Sequence, residues 1–290
     1  MLSEFLKDGS VILKNEPLRK HTTIGLGGNA DYFVKVNSLK GLKEVTEYAL
    51  NRKIKTFVIG NGSNLIVSDS GFRGIIISIK NLNRIYVTGN KARVFAGADL
   101  NKTINRLENM GLYGLESFCG IPSSVGGAVT MNAGAFGKRI GDFILSVETL
   151  TGGKLNKYDK EDCRFGYRKS RFITGKETVY AVTFALSDKK SETKAEILKK
   201  RAEKQPKGRT CGSVFKNPDG DFAGRLIEEA GLKGEKIGGA QISAKHANFI
   251  INDGSATARD VVYLIKLAKK RVKELFGVDL KEEVRYLGEF

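Results

Sequence analysis

The segment Gly208-Arg209-Thr210-Cys211-Gly212-Ser213-Val214-Phe215-Lys216-Asn217-Pro218 sets one hydroxyl, Ser213, on a glycine turn near a cation, Lys216, and an amide, Asn217. A serine is a weak acid, so it becomes a useful proton donor only where cationic or hydrogen-bonding neighbours assist it. Two glycine-rich loops lie upstream, Gly60-Asn61-Gly62-Ser63-Asn64 and Gly120-Ile121-Pro122-Ser123-Ser124-Val125-Gly126-Gly127. Glycine permits positive φ and close ligand approach, so successive N–H groups in such turns form anion-binding nests. Together these residues point to a redox site where a bound dinucleotide delivers hydride and the protein delivers a proton.

The first loop is neither a G-x-G-x-x-G fingerprint, since Leu65 stands where the third glycine belongs, nor a P-loop, since no Gly-Lys-Ser/Thr follows. Taken alone it is equally well an ordinary tight turn. The second loop continues as Ala128-Val129-Thr130-Met131-Asn132-Ala133-Gly134-Ala135-Phe136-Gly137, and small residues dominate throughout. Such a run cannot fill a core by itself. It suits a backbone wrapping closely around a flat or extended ligand, with glycine turns on a strand pair as the bland alternative.

The elements that must position these residues follow from periodicity. Ser38 reads as the N-cap of a helix over 39–52, with Leu42, Val45 and Ala49 on one face. Strands are expected at 56–59, running into Gly60, and at 75–79, 84–88 and 93–96. Asp99 reads as the cap of a helix ending near Met110, with Gly111 at its C′ position, and a β-rich stretch then runs to Leu186. A lysine-rich helical linker over 187–205 is closed by Pro206. Beyond it lie a helix near 222–230, capped by Asp221 and stopped by Gly231, and a strand at 248–252. A long helix over 258–276 opens with a Thr257/Asp260 capping box, and a last strand covers 283–287.

Three cysteines, Cys119, Cys163 and Cys211, are odd in number and lack zinc spacing, and with only His21 and His246 a metal site is not expected. Residues 1–10 carry Glu4, Lys7 and Asp8, which is no signal-peptide core, and the apolar run 74–79 is too short to span a bilayer. A reduced cytoplasmic protein, not a membrane one, is the expectation. The formal charge of +17 admits nucleic-acid binding or the handling of several phosphates. No RNP-like motif or helix-turn-helix signal is present, so anionic small ligands are favoured over nucleic acid.

In their order along the chain, these motifs resemble the UDP-N-acetylenolpyruvoylglucosamine reductases. The resemblance runs from Thr23 and Gly27-Gly28-Asn29-Ala30 through both loops, Gly114-Leu115-Glu116 and Phe165-Gly166-Tyr167-Arg168-Lys169-Ser170. It continues through Gln205-Pro206, 212–218, Gly231-Leu232-Lys233-Gly234 and Gly238-Gly239-Ala240-Gln241 to Lys245-His246-Ala247 and Glu282-Glu283-Val284-Arg285. It implies an α+β fold: a two-lobed FAD-binding unit of the vanillyl-alcohol-oxidase type (lobes 1–80 and 81–187) and an α/β substrate-binding domain over 190–280. The last strand, 281–290, is free to return to the FAD unit. Lys245-His246-Ala247 and the short connection after Ser170 match the family's second structural type. Gly25 stands where the family has a basic residue, Ser123 where it has glycine, and the spacer from Pro206 to Gly212 is one residue short.

What the resemblance implies chemically is non-covalent FAD, NADPH as co-substrate, and a UDP-sugar bearing an enolpyruvyl ether, in a monomer that takes part in peptidoglycan synthesis. It carries the catalytic roles onto Ser213 as proton donor and onto Arg168 and Glu283 at the enolate. It carries flavin contacts onto Gly60, Asn61, Gly62, Ser63, Asn64, Pro122, Ser123, Ser124, Gly126, Gly127 and Gly134. It carries substrate contacts onto Tyr167, Lys216, Asn217 and His246. Without the resemblance, Arg168 reads as a salt-bridging strand residue, Ser213 as a turn hydroxyl and Glu283 as an exposed strand charge. A flavin-dependent alcohol or sugar oxidase of the same fold is the alternative enzyme. A basic nucleic-acid-binding protein ranks last because it leaves the small-residue run unexplained.

Overall fold

The structure is a computed structural model that describes residues 2, 6–190 and 193–290. Most of residues 1–10 and of the 187–205 linker are therefore visible, but residues 1, 3–5, 191 and 192 lie outside the described residues. The chain divides into two compact units. The first comprises Met1–Asn15, Asp31–Asn61 and Gly74–Lys199, and the second Glu16–Ala30, Gly62–Arg73 and Lys200–Phe290.

In the first unit, helix α1 (Leu39–Asn51) starts where Ser38 Oγ accepts from the Gly41 amide (3.1 Å), and buries Leu42, Val45 and Ala49. A four-stranded sheet, ordered Val11–Pro17, Asn29–Lys35, Phe72–Ser78, Thr56–Ile59, belongs mainly to this unit, and its last two strands run parallel. The run Ile75, Ile76, Ile77 is fully buried, as a continuous apolar strand requires. A five-stranded antiparallel sheet follows, ordered Lys154–Asp159, Ile144–Thr151, Thr178–Ala185, Lys91–Phe95, Ile85–Thr88. Helix α2 (Leu100–Glu108) is capped by Asp99, whose Oδ1 accepts from the Lys102 amide (2.9 Å).

The stretch after the second glycine-rich loop departs from the β-rich expectation. Residues Val125–Thr130 form a short helix, α3, capped by Ser124 Oγ on the Gly127 amide (3.2 Å). Two of its six residues are glycine, which propensity penalises. The helix persists because Gly126 packs where a Cβ would lie only 2.7 Å from Ala96 Cβ, an approach no larger residue permits.

Helix α4 (Lys194–Lys204) covers most of the lysine-rich stretch. In the second unit, a four-stranded antiparallel sheet runs Arg209–Ser213, Phe249–Asn252, Ala240–Ile242, Lys236–Ile237. Helix α5 (Ala223–Glu229) is not capped by Asp221, contrary to expectation; its N-cap is Phe222. Asp221 instead accepts from the Phe222 amide (2.6 Å) and is ion-paired with Arg225 on the next turn. The orphan amide of Ala223 goes to Asn217 Oδ1 (3.2 Å), five residues before the cap position.

Helix α6 (Ala258–Phe276) has the expected reciprocal Thr257/Asp260 capping box, and Asp69 accepts from its first two amides, Ala258 (2.8 Å) and Arg259 (3.2 Å). Its apolar face, Val261, Leu264, Ile265, Ala268 and Val272, packs with Ile24, Leu26 and Ile66 in the core of this unit. The strand Arg285–Leu287 pairs in parallel with Leu65–Val67, the strand that leaves the first loop. Ile265 is fully buried in this core. Truncating it in Ile265→Ala is expected to cost about 2–5 kcal/mol, measured as a lowered urea midpoint with an unchanged slope.

Candidate functional site

Within the first unit, Gly60 and Asn61, which open the first glycine-rich loop, lie against the second loop. A Cβ on Gly60 would overlap Ser124 Oγ, so only glycine lets the first loop lie against the cap of α3. Asn61 Nδ2 donates to Asp99 Oδ2 (3.3 Å) and Pro122 O (3.4 Å), tying the loops side chain to backbone. Asp99 thus serves twice, one oxygen capping α2 and the other orienting Asn61. Ser123 Oγ donates to Ser124 O (2.9 Å), so the serine found in place of the family's glycine turns its hydroxyl onto its own backbone.

Arg168 sits on a two-residue turn closed by reciprocal bonds between Gly166 and Lys169 (2.9 and 3.1 Å). Its φ is +50°, a left-handed conformation that costs a non-glycine residue on the order of 1 kcal/mol or more. The Tyr167 ring, half-exposed, lies 5.4 Å from the Arg168 guanidinium carbon. Nη2 of Arg168 donates to Gly134 O (3.5 Å), and a Cβ on Gly134 would stand 2.8 Å from Nη1. Gly134, expected to touch flavin, therefore also holds the arginine.

The second unit ties Asn64 and Glu283 to the segment that follows Ser213. Ser213 ends its strand opposite Phe249, after a register shift and a Gly212 at φ +80°. Such a bulge re-aims the side chain that follows it. The next residue, Val214, donates its amide to Asn248 O (2.8 Å) and accepts from the Glu283 amide (2.7 Å). Glu283 O accepts from Asn64 Nδ2 (3.0 Å), and Asn64 O from the Arg285 amide (3.0 Å). Glu282 is engaged elsewhere, in an ion pair with Lys269 (2.9 Å), which separates the two neighbouring glutamates by role.

Asn217 and His246 carry structural duties beside any contact with a ligand. Asn217 supplies the amide acceptor at α5. His246 Nδ1 accepts from the Asn248 amide (3.2 Å), which fixes the proton on Nε2, and its ring packs 5.0 Å from that of Phe249. Lys216 is held through its own amide, which donates to Lys281 O (2.9 Å).

Three residues that position the site escaped assignment from sequence. Asn248 brackets Phe215, accepting from its amide and donating to its carbonyl, both at 2.8 Å. Arg285, quoted in a motif but given no role, carries a guanidinium that burial holds below the ordinary arginine value. Asn132 lies buried beneath the Arg168 turn. At Gly25 the side chain of Arg209 passes, its Cδ 3.2 Å from where a Cβ would be. A basic group therefore occupies this place although residue 25 itself is glycine. For Asn132 and Asn248 the signal was a side-chain amide within a short run, which local periodicity does not weigh.

The residues suit a flavin dinucleotide. Among the described residues, none accepts a hydrogen bond from the amides of Asn61, Gly62, Ser63 or Asn64. Consecutive amides left over by the protein are the donors an extended pyrophosphate requires. Among the described residues no cluster of His, Cys, Asp and Glu could hold a metal ion, and all three cysteines are buried. Burial pushes the Cys211 thiol, two residues before Ser213, up to about 12, so it is not a nucleophile at neutral pH. No described helix is long and apolar enough to cross a membrane.

Burial also pushes the His246 pKa below its ordinary 6.5. The folded protein therefore binds its proton less readily than the unfolded chain, and His246 costs no stability above pH 6.5. Stability is lost as pH falls below 6.5 toward the depressed folded value. In urea titrations from pH 7.5 to 5, His246→Gln is expected to flatten that acid limb; an unchanged limb would refute the assignment.

The family described as FAD binding domain matches residues 30–154, and that described as UDP-N-acetylenolpyruvoylglucosamine reductase, C-terminal domain, matches residues 204–287. The reductase of Clostridium botulinum strain Hall is 44% identical over 284 residues, covering 96% of this chain and 93% of the relative. That of Carboxydothermus hydrogenoformans is 45% identical over 287 residues, covering 97% and 95%. The crystal structure of the Thermus caldophilus reductase superposes with a TM-score of 0.80 at 37% identity, covering 96% of this chain and 99% of that one. A solvent-stable cholesterol oxidase shares the fold alone, with a TM-score of 0.51 at 14% identity over 63% of this chain and 39% of that one. The fold is accordingly α+β, an FAD-binding unit of the vanillyl-alcohol-oxidase type with a C-terminal domain, and the chain belongs to the FAD-containing UDP-N-acetylenolpyruvoylglucosamine reductases.

Proposed function

We propose that the protein reduces the enolpyruvyl ether of UDP-N-acetylglucosamine to UDP-N-acetylmuramate with electrons from NADPH, in peptidoglycan synthesis in the cytoplasm. The observation that carries this reading is the hydrogen-bond network joining the Asn64 side chain to the backbone of Glu283 and Val214, which draws a flavin loop, the residue after the proton donor and the segment of Glu283 together. FAD would be held by the 60–64 loop, by 122–127 and by Gly134, the last of which also seats Arg168; when bound, FAD supplies the hydride.

Hydride adds to the terminal carbon of the ether and a proton to the carbon bearing the carboxylate. Between the two events negative charge spreads from that carbon into the carboxylate as an enolate. Arg168 pairs with the carboxylate as its charge rises, a stabilisation worth on the order of 3 kcal/mol when preorganised and dry. Its turn fixes the backbone and the bond to Gly134 O holds the guanidinium, so less ordering remains for the moment of reaction. Glu283 orients the enolate from the segment that pairs with Val214. Ser213 gives its proton to the enolate carbon, with Lys216 as the nearby cation that makes a serine acidic enough. Tyr167 and Lys216 contact the UDP-sugar, and Asn217 and His246 line the same region while holding α5 and the Phe249 strand.

Three tests follow from this assignment. Under anaerobic conditions NADPH is expected to bleach the flavin, and the enolpyruvyl UDP-sugar to restore its colour; flavin that bleaches but stays reduced would leave an oxidase of the same fold. In Ser213→Ala, bleaching by NADPH keeps its rate while recolouring slows roughly 10²–10⁴-fold, followed by stopped-flow absorbance. Gly60→Ala, whose Cβ would overlap Ser124 Oγ, is expected to weaken FAD binding about tenfold or more, read as flavin lost on gel filtration.

A further inference from the structure

Asn132 is fully buried, adopts a left-handed φ of +43°, and closes the end of α3 through its own amide, which donates to Val129 O (3.0 Å). Its side-chain amide spans two other segments. Nδ2 donates to Gly166 O (2.8 Å), the first residue of the turn that carries Arg168, and Oδ1 accepts from the Gly141 amide (3.0 Å). With a carbonyl on one side and an N–H on the other, the orientation of this amide is determined by its partners. The packing is tight: a Cβ on Gly141 would stand 2.8 Å from Asn132 Oδ1 and from the Phe165 ring.

A second fastener lies on the other side of the turn. Ser170 Oγ donates to Thr130 O (2.7 Å), again at the end of α3, and accepts from the Phe172 amide (3.2 Å). The turn 166–169 is thus clamped at both ends to one short helix, whose cap, Ser124, touches Gly60. Arg168 occupies a conformation it would leave if released, so something outside the turn must hold it there.

We infer that Asn132 is the positioning residue for Arg168, fixing the turn between α3 and the Gly141 backbone so that the guanidinium meets its anionic partner already aligned. This inference rests on the assignment of Arg168 to the substrate carboxylate. It requires no contact between Asn132 and either ligand. An amide is the group for the task because a hydroxyl could not span a donor and an acceptor on opposite sides, and a carboxylate would face the Gly166 carbonyl without a proton to give.

The test uses the FAD-loaded enzyme and compares Asn132→Gly, Asn132→Asp, Arg168→Ala and the Asn132→Gly/Arg168→Ala double variant. Glycine keeps the left-handed backbone without strain, and aspartate keeps the Gly141 bond while losing the donor to Gly166. Expected are an unchanged rate of flavin reduction by NADPH and reoxidation by the enolpyruvyl UDP-sugar slowed about tenfold or more in both Asn132 variants. The double variant should be no slower than Arg168→Ala, because the residues act as one. Independently of turnover, amide hydrogen exchange at Lys169 should accelerate in the Asn132 variants.

Normal reoxidation in both Asn132 variants beside a slow Arg168→Ala overturns this inference alone, as does a double variant whose losses multiply. Slowing of flavin reduction in step with reoxidation also overturns it, since that marks general loosening. A normal rate in Arg168→Ala overturns the carboxylate assignment, and this inference with it.

Discussion

Backbone N–H groups must find acceptors, and among the described residues the amides of Asn61, Gly62, Ser63 and Asn64 are given none by the protein. The surrounding structure is arranged so that the loop can stay open. Gly60 rests against the capping serine of α3, and Asn61 is held by the aspartate that caps α2. Gly62 lies where a Cβ would overlap His21 O, and Asn64 spends its side chain on Glu283 O. The side chains are committed so that the amides remain available. Each tether comes from an element whose own N-terminus or strand register is independently fixed, which is why the loop does not collapse onto itself.

The same economy explains α3. It is too short and too glycine-rich to be stable alone, yet it anchors the loop at its first turn and the Arg168 hairpin at its last. Its small side chains do not serve to fill space. They allow a helix to lie within van der Waals reach of Ala96 and of the loop at once. A bulkier helix would be more stable and would hold both partners too far apart.

These circumstances also mark what could be read in the sequence. Helices α1, α2 and α6 were legible because each begins at a residue that caps it, Ser38, Asp99 and Thr257, before a clear apolar stripe. Helix α3 was not, since glycine content argues for turns and only packing against Ala96 overrides it. Asp221 had the right chemistry for a cap but bonds to the adjacent amide and to Arg225, while Asn217, farther back along the chain, reaches the helix. The loops and the serine segment stood out by composition alone. Their assembly did not, because the bonds from Asn64 to Glu283 and from Thr23 to Thr210 join segments with no local signal of proximity.

The second unit is made of three separate stretches, and the order of synthesis acts on that arrangement. Ile24, Leu26 and Ile66 belong to its core, but their partners on α6 emerge only after residues 67–257 have been made. At ~5–20 residues per second the ribosome takes roughly 10–40 s over that interval. During it the first unit can acquire most of its sheets, while the early strands of the second hold apolar side chains with nothing to bury them against. Leu65–Val67 gains its partner strand, Arg285–Leu287, only when the last residues of the chain have been made, and until then it is an open strand edge of the kind that invites wrong pairing.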